Sequence, residues 1–157
     1  MTGFGPALDL VIERETALPA APLWACRTRP ALPERRFCPL PWRATDGEID
    51  LRPGGRFNSV IRGPDSEAMP GRGCCLEVAP ERRLAWTGAL TEGFRPGSAP
   101  FFTGVITFDP VAGGTRYRAV ALHATARARE RHAAKGFAGG GNRATDRLVA
   151  LARTLTP

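Results

Sequence analysis

Few side chains in this 157-residue sequence are suited to acid–base, nucleophilic or metal chemistry. The histidines are His123 and His132, and two histidines without further ligands at suitable spacing do not make a zinc site. The four cysteines are Cys26, Cys38, Cys74 and Cys75. They form no Cys-x-x-Cys pair, so we expect no metal and interpret them as buried free thiols of a reducing cytoplasm.

Nucleophile and phosphate-binding motifs are also missing from the sequence. No serine lies in a Gly-x-Ser-x-Gly context. The pairs Gly54–Gly55 and Gly113–Gly114 predict hairpin turns rather than a phosphate loop, because no Lys-Ser or Lys-Thr follows them. Asp50 and Arg52 alternate onto one face, where a surface ion pair is the simplest interpretation. These observations favour a protein that is not an enzyme and that uses no cofactor.

The two histidines have different predicted surroundings. His123 ends a predicted strand that carries Tyr117 on the same face, and this face is expected to point inward. A buried structural histidine is the simpler interpretation of His123, and a polar anchor in a pocket is the alternative. His132 lies among Arg129, Arg131 and Lys135 and is expected to be solvated.

The net charge of +7 raises the question of nucleic-acid binding. The 22 basic residues include a single lysine, Lys135, and the arginines are scattered along the chain. The sequence contains no zinc-finger spacing, RNA-recognition aromatics or basic zipper, so no specific binding of nucleic acid is expected. It also lacks an apolar run of about 18 residues, which argues against membrane insertion and favours a cytoplasmic protein.

The order of predicted elements is typical of an α+β fold. A strand is predicted over Leu8–Arg14, followed by two short helices, one beginning near Pro22 and one after Pro30. Residues 46–123 predict strands joined by short turns, as in an antiparallel meander. Residues 124–135 predict a helical segment. The last helix has an apolar face formed by Leu148, Leu151, Ala152 and Leu155.

These elements predict one domain over residues 1–157, with residues 1–6 as a flexible tail. A sheet that curls around one long helix cannot touch that helix everywhere. A cavity is therefore expected between sheet and helix, and binding or chemistry is expected there.

Short motifs along the chain carry a family resemblance. They are Glu13-Arg14 followed by APLWA at Ala21–Ala25, RPGGRF at Arg52–Phe57, LEVAPER at Leu76–Arg82, and GGTRY at Gly113–Tyr117. In this order they resemble the SRPBCC superfamily, and within it the proteins called activator of heat-shock-protein-90 ATPase homologue-like. The resemblance extends from about Leu8 to Leu155.

The resemblance implies the helix-grip fold of the START domain and the major birch pollen allergen. This fold has a curved antiparallel sheet of about seven strands, two short helices, and a long C-terminal helix that encloses a cavity. One departure concerns the last helix. Relatives commonly have a tryptophan shortly after Gly-Phe, whereas Gly136-Phe137 is followed here by Ala138 and three glycines. We therefore expect this helix to begin differently, after Gly141.

The resemblance implies several functions. Members of the superfamily bind lipids, sterols or aromatic polyketides, and others cyclise or hydrolyse them. The leading expectation is a binder of a small hydrophobic or aromatic molecule. The alternatives are a chaperone-associated interaction module and a polyketide cyclase or hydrolase that uses His123 or Tyr117 as acid or base. The expected ligand-binding residues are Trp24, Phe57, Trp86, Phe102, Tyr117, His123 and Phe137.

Overall fold

The computed structural model describes residues 5–29, 43–98, 102–134 and 137–155. Its strands are β1 (Asp9–Thr16), β2 (Arg43–Ile49), β3 (Phe57–Arg62), β4 (Ala68–Gly71), β5 (Cys74–Ala79), β6 (Arg83–Thr87), β7 (Leu90–Thr91), β8 (Arg95–Pro96), β9 (Thr103–Val111) and β10 (Gly114–Leu122). Its α-helices are α1 (Ala20–Thr28), α2 (Ala126–Ala134) and α3 (Phe137–Thr154), and a 3-10 turn spans Glu92–Phe94.

The strands form an antiparallel scaffold. Five of them make one sheet in the order β1-β10-β9-β6-β5, and three make a second sheet in the order β2-β3-β4. The Phe57 amide donates to the Gly73 carbonyl, and Arg56 forms a bridge with Cys74, so the second sheet continues onto the edge of the first. The two sheets contain eight strands, close to the number expected, and the α+β architecture with a C-terminal helix is confirmed.

The core lies between the five-stranded sheet, α1 and α3. Leu148 is 1 % exposed, and with Val149 and Ala152 it packs against Leu23 and Cys26 of α1. The apolar periodicity of the last helix is thus confirmed at Leu148 and Ala152, since residues four apart share one helix face. Leu155 follows the end of α3 and is 39 % exposed, so its expected place on the buried face is wrong.

The two faces of the sheet follow the alternation of the sequence. Tyr117 of β10 pairs with Phe108 of β9, and both side chains are buried. The neighbouring Arg116 lies on the outer face, where Nη2 is 2.8 Å from Oε1 of Glu15. Successive residues of a strand point to opposite faces of the sheet, so Tyr117 points into the core and Arg116 points to solvent.

Several local expectations need correction. β4 was not predicted. β4 is the edge strand of its sheet. Proline has no backbone N–H to donate to a neighbouring strand, so Pro70 is tolerated at an edge, where no further strand follows. β2 ends at Ile49, so Asp50 and Arg52, which were expected to alternate along a strand, lie beyond it. α3 begins at Phe137 and includes Gly139–Gly141. The second short helix after Pro30, and Cys38, lie outside the described residues.

Candidate ligand site

Trp86 is the centre of an aromatic group on the helix-facing side of the sheet. It pairs across the β6–β9 ladder with Gly104. A Cβ at Gly104 would lie 2.4 Å from Cζ2 of Trp86, so the indole ring rests directly on the glycine backbone. Any larger residue at position 104 would occupy the space of the ring. Gly104 is therefore what lets Trp86 lie flat on the sheet.

Three further side chains surround this indole. Phe57 of β3 stacks on it with ring centroids 4.7 Å apart and planes at 20°. Phe102 contacts it edge-on at 6.5 Å. The guanidinium carbon of Arg27, a buried residue of α1, lies 5.5 Å from the ring centroid. Stacked, edge-on and cation–π geometries are all favourable for an indole. We call Arg27, Phe57, Trp86 and Phe102 the Trp86 cluster.

A pair of histidines adjoins the cluster. Nδ1 of His123 lies 2.8 Å from the carbonyl oxygen of Leu8, and Nε2 lies 2.9 Å from Nδ1 of His132. The Phe102 ring centroid is 4.9 Å from that of His132 and 6.3 Å from that of His123. His123 is buried, as expected. The expectation that His132 is solvated is wrong, because α2 turns back over the end of β10 and brings this ring onto His123.

The other expected site residues divide between two places. Trp24 and Tyr117 both contact Phe108 edge-on, with ring centroids 5.6 Å away in each case. Tyr117 is 4 % exposed, and this group lies in the core beneath α3. Phe137 occupies the first turn of α3, and its side chain lies outside the described part of the structure. Phe57, Trp86, Phe102 and His123 are thus brought together, while Trp24 and Tyr117 form a separate aromatic group.

Sequence reasoning missed Arg27 and His132 at this site. Arg27 is an arginine in a short helix, where a solvated position is the ordinary expectation. Its burial follows from its neighbours, because Cys26 and Leu23 direct this face of α1 onto the sheet. His132 is surrounded in sequence by arginines, which concealed its half-buried position.

The RPGG turn has a structural role next to the cluster. The Gly54 amide donates to the Cys75 carbonyl, the Cys75 amide donates to the Gly55 carbonyl, and the Gly93 amide donates to the Gly54 carbonyl. Gly54 has φ +84°, and a Cβ at Gly55 would lie 2.1 Å from the Asp50 carbonyl oxygen. Glycine is required at both positions. The turn thereby fixes β3, which carries Phe57, against β5.

A polar cavity of about 470 Å³ opens beside this turn. It is lined by Glu48, Arg56, Asn58, Arg72, Thr91, Glu92 and Arg95. Arg56 bonds to both glutamates, with Nη1 2.8 Å from Oε2 of Glu48. The hydrogen bond and charge of Arg56 hold the pKa of Glu92 below its usual value. This cavity is unsuited to an apolar ligand because its lining is charged.

The cysteines of β5 do not supply a nucleophile. Cys74 and Cys75 are fully buried free thiols. Burial, with smaller contributions from Cys74 and Asp50, raises the pKa of the Cys75 thiol to about 11. A thiol of this kind stays protonated at neutral pH and is unreactive.

The described residues offer neither a metal site nor a membrane-spanning helix. These residues contain no group of three or more histidine, cysteine, aspartate or glutamate side chains placed to hold a metal ion. No helix in the same part of the chain is long and apolar enough to cross a membrane.

Replacing Gly104 with alanine should displace the Trp86 ring, because the new Cβ would meet its six-membered ring at van der Waals overlap. We expect the overpacked core to lower the free energy of unfolding by about 1–3 kcal/mol. The indole N–H signal of Trp86 should also shift strongly in NMR spectra. Gly71→Ala is the matched control, since a Cβ there would lie 3.6 Å from its nearest atom. Unchanged indole signals in Gly104→Ala would contradict the arrangement.

The chain is similar to a known protein family and to several solved structures. Residues 17–153 match the family described as "Activator of Hsp90 ATPase homolog 1-like protein". A crystal structure from Nitrosomonas europaea is 38 % identical, covers 99 % of this chain and 100 % of its own, and superposes with a TM-score of 0.92. One from Mycobacterium smegmatis is 30 % identical over 96 % of this chain and 94 % of its own, with a TM-score of 0.79.

A structure from Rhodobacter sphaeroides is 26 % identical, covers 98 % of this chain and 97 % of its own, and has a TM-score of 0.82. A search of curated proteins gives no match. The family match spans most of the chain, and the similarity to the solved structures extends over nearly all of it. The chain therefore belongs to the activator of Hsp90 ATPase homolog 1-like family of the SRPBCC superfamily.

Proposed function

We propose that this protein binds a small hydrophobic or aromatic molecule at the Trp86 cluster, between the sheet and the helices. The observation that carries the proposal is the setting of Trp86. Its neighbours Leu84 and Ala85 in β6 are buried, whereas Trp86 is only partly buried although Phe57 stacks on it and Gly104 makes room for it. A large aromatic surface held in place yet not fully covered by protein is suited to a flat apolar ligand.

The polar groups at the edges of the cluster suggest how such a ligand is oriented. Arg27 presents a buried positive charge to one side of the indole, and the histidine pair lies beyond Phe102. A few polar groups around an apolar surface are what gives ligand pockets their specificity. Cys74 and Cys75, two buried free thiols of the described part of the chain, fit a cytoplasmic location, where thiols stay reduced.

The test is binding of an apolar fluorescent probe together with NMR mapping. We expect the probe to shift the signals of Trp86 and His123. Trp86→Ala should weaken binding by about tenfold or more, because stacking and burial on the indole are lost. Trp24→Ala is the matched control, since Trp24 belongs to the aromatic group around Phe108. It should lower stability and leave the affinity of the folded protein unchanged.

Two outcomes would contradict this proposal. One is equal loss of affinity in the Trp86 and Trp24 variants. The other is the absence of any shift with sterols, fatty acids and flavonoid-like aromatics. Native mass spectrometry of the purified protein would in addition reveal a co-purified ligand.

A chaperone-associated interaction is the second candidate. The family description refers to activation of a chaperone ATPase. Phe94, which contacts Gly54, and Leu76, which follows Cys75 in β5, are both exposed beside the RPGG turn. Exposed apolar side chains of this size are suited to a protein contact. Stimulation of a chaperone ATPase by this protein, without binding of any probe, would favour this candidate over the first.

A further inference from the structure

We propose that His123 and His132 form a pH-sensitive latch that holds α2 against the Trp86 cluster and opens when both imidazoles are protonated. The proposal rests on the proposed function only where it concerns ligand release. The opening of α2 itself follows from the two histidines and can be measured without any ligand.

Hydrogen bonding fixes the tautomers of the neutral pair. The Leu8 carbonyl oxygen can only accept, so Nδ1 of His123 must donate to it across 2.8 Å. Nε2 of neutral His123 is then an acceptor. Nδ1 of His132, 2.9 Å away, must therefore carry a proton and donate it to Nε2. The closed pair thus requires the Nδ1–H tautomer in both rings.

The closed pair tolerates one additional proton but not two. A proton added at Nε2 of His132 leaves both hydrogen bonds intact. A second proton can enter only at Nε2 of His123, where it would place two N–H groups head to head across the 2.9 Å contact. Neither group could then accept, and two positive rings would adjoin. The contact must break for both rings to be charged.

This difference sets the direction of the pH dependence. The open state binds one more proton than the closed state, so the closed state loses stability as the pH falls. Histidine is the side chain whose charge ordinarily changes between about pH 5 and pH 8, so we expect the opening within this range.

Within residues 126–134 and the other described parts of the chain, few further contacts hold α2 in place. None of its residues is fully buried. The half-buried ones lie on one narrow face, formed by Ala128, Arg129, His132 and Ala133. Two of these are alanines, which contribute little apolar contact. Loss of the His132 bond and of its ring contact with Phe102 is therefore expected to release the helix.

Charges of both signs surround the pair. α2 carries Arg127, Arg129, Glu130 and Arg131. Besides the ends of β9 and β10, where Phe102 and His123 lie, the elements packed on α2 are β1 and α3. Their charged residues are Asp9, Glu13, Arg14, Glu15, Arg143, Asp146, Arg147 and Arg153. Among the carboxylates, Asp9 accepts the Gly5 amide, Glu13 and Glu15 contact Arg116, and Asp146 pairs with Arg14.

The consequence for the site is control of access. His132 contacts the ring of Phe102, and Phe102 contacts Trp86. Movement of α2 away from the sheet would expose this side of the Trp86 cluster. A ligand bound there would be retained at neutral pH and released in acid.

The experiment is NMR of the imidazole nitrogens of the full chain, combined with amide hydrogen exchange. At about pH 8 both rings should show the Nδ1–H tautomer. Between about pH 8 and pH 5 the α2 amides should exchange about tenfold faster, after correction for intrinsic rates, while those of β10 change much less. Finding His132 as the Nε2–H tautomer, or equal exchange of α2 at both pH values, would overturn the proposal.

Two variants separate the latch from a purely structural contact. Asparagine in His132→Asn can donate to neutral His123 and can turn its oxygen toward protonated His123, so α2 should stay closed across the pH range. Arg131→Lys, at an exposed position of the same helix, keeps the charge and should behave as the wild type. Acid opening of His132→Asn equal to that of the wild type would overturn the latch. If the latch behaves as expected but no probe binds, only the proposed ligand function fails.

Discussion

Removing residues 144–157 should leave a chain that no longer unfolds cooperatively. The deletion takes away Leu148, Val149 and Ala152, all buried against α1 and the sheet. Truncating one buried leucine to alanine alone costs about 2–5 kcal/mol, and whole domains are stable by only about 5–15 kcal/mol. The loss of the whole helix face thus exceeds what the rest of the fold can offset. Circular dichroism during thermal unfolding would measure this.

A pair of point substitutions controls for the shortening of the chain. Leu148→Asp buries an unpaired charge in the core, while Ala150→Asp places the same carboxylate on the exposed side of α3. We expect the first to unfold the protein and the second to lower its stability by only about 1 kcal/mol, the helix-propensity cost of aspartate. A truncated chain that keeps a sharp unfolding transition would show that α3 is not part of the core.

Phe108→Ala should be the most destabilising single truncation in the sheet, at about 3–5 kcal/mol. Phe108 is fully buried in β9, and its ring contacts Trp24 of α1 and Tyr117 of β10 edge-on. Each edge-on aromatic pair stabilises the fold by about 0.5–1.5 kcal/mol beyond the contribution from burying the ring. The substitution therefore leaves a cavity and removes two favourable contacts. Urea unfolding gives the free energy directly.

Phe94→Ala serves as the control for the same chemical change. Phe94 is 50 % exposed, so its truncation removes little buried surface. We expect a loss of less than about 1 kcal/mol. Equal losses in the two variants would contradict the assignment of Phe108 to the core.

Much of this fold could be predicted from local patterns. Alternation located β1, β3, β6 and β10, since a strand with one buried face repeats every two residues. Glycine pairs located the turns at Gly54 and Gly113, both of which have positive φ. The start of α3 could not be predicted in this way. Three glycines each disfavour a helix by about 1 kcal/mol, and the helix nevertheless extends through them to Phe137.

The candidate site was predicted less completely, for a physical reason. Four of the expected residues lie on strands or strand ends, where the alternation of apolar and polar residues predicts which side of the sheet each side chain occupies. They are Phe57, Trp86, Phe102 and His123. The position of His132 depends on the direction in which α2 leaves the end of β10. That direction is set by tertiary packing, which no pattern in residues 124–134 encodes. The same applies to the burial of Arg27.

The pairing of β1 with β10 has a consequence for how the chain folds as it is made. Thr16 pairs with Thr115, so the first strand has no partner in the five-stranded sheet until about a hundred further residues exist. At about 5–20 residues per second, synthesis keeps β1 waiting for roughly 5–20 seconds. During that time its apolar run Leu10-Val11-Ile12 is open to wrong pairing. Asp9 on one side and Glu13 on the other flank this run with charge, which guards the nascent strand against aggregation.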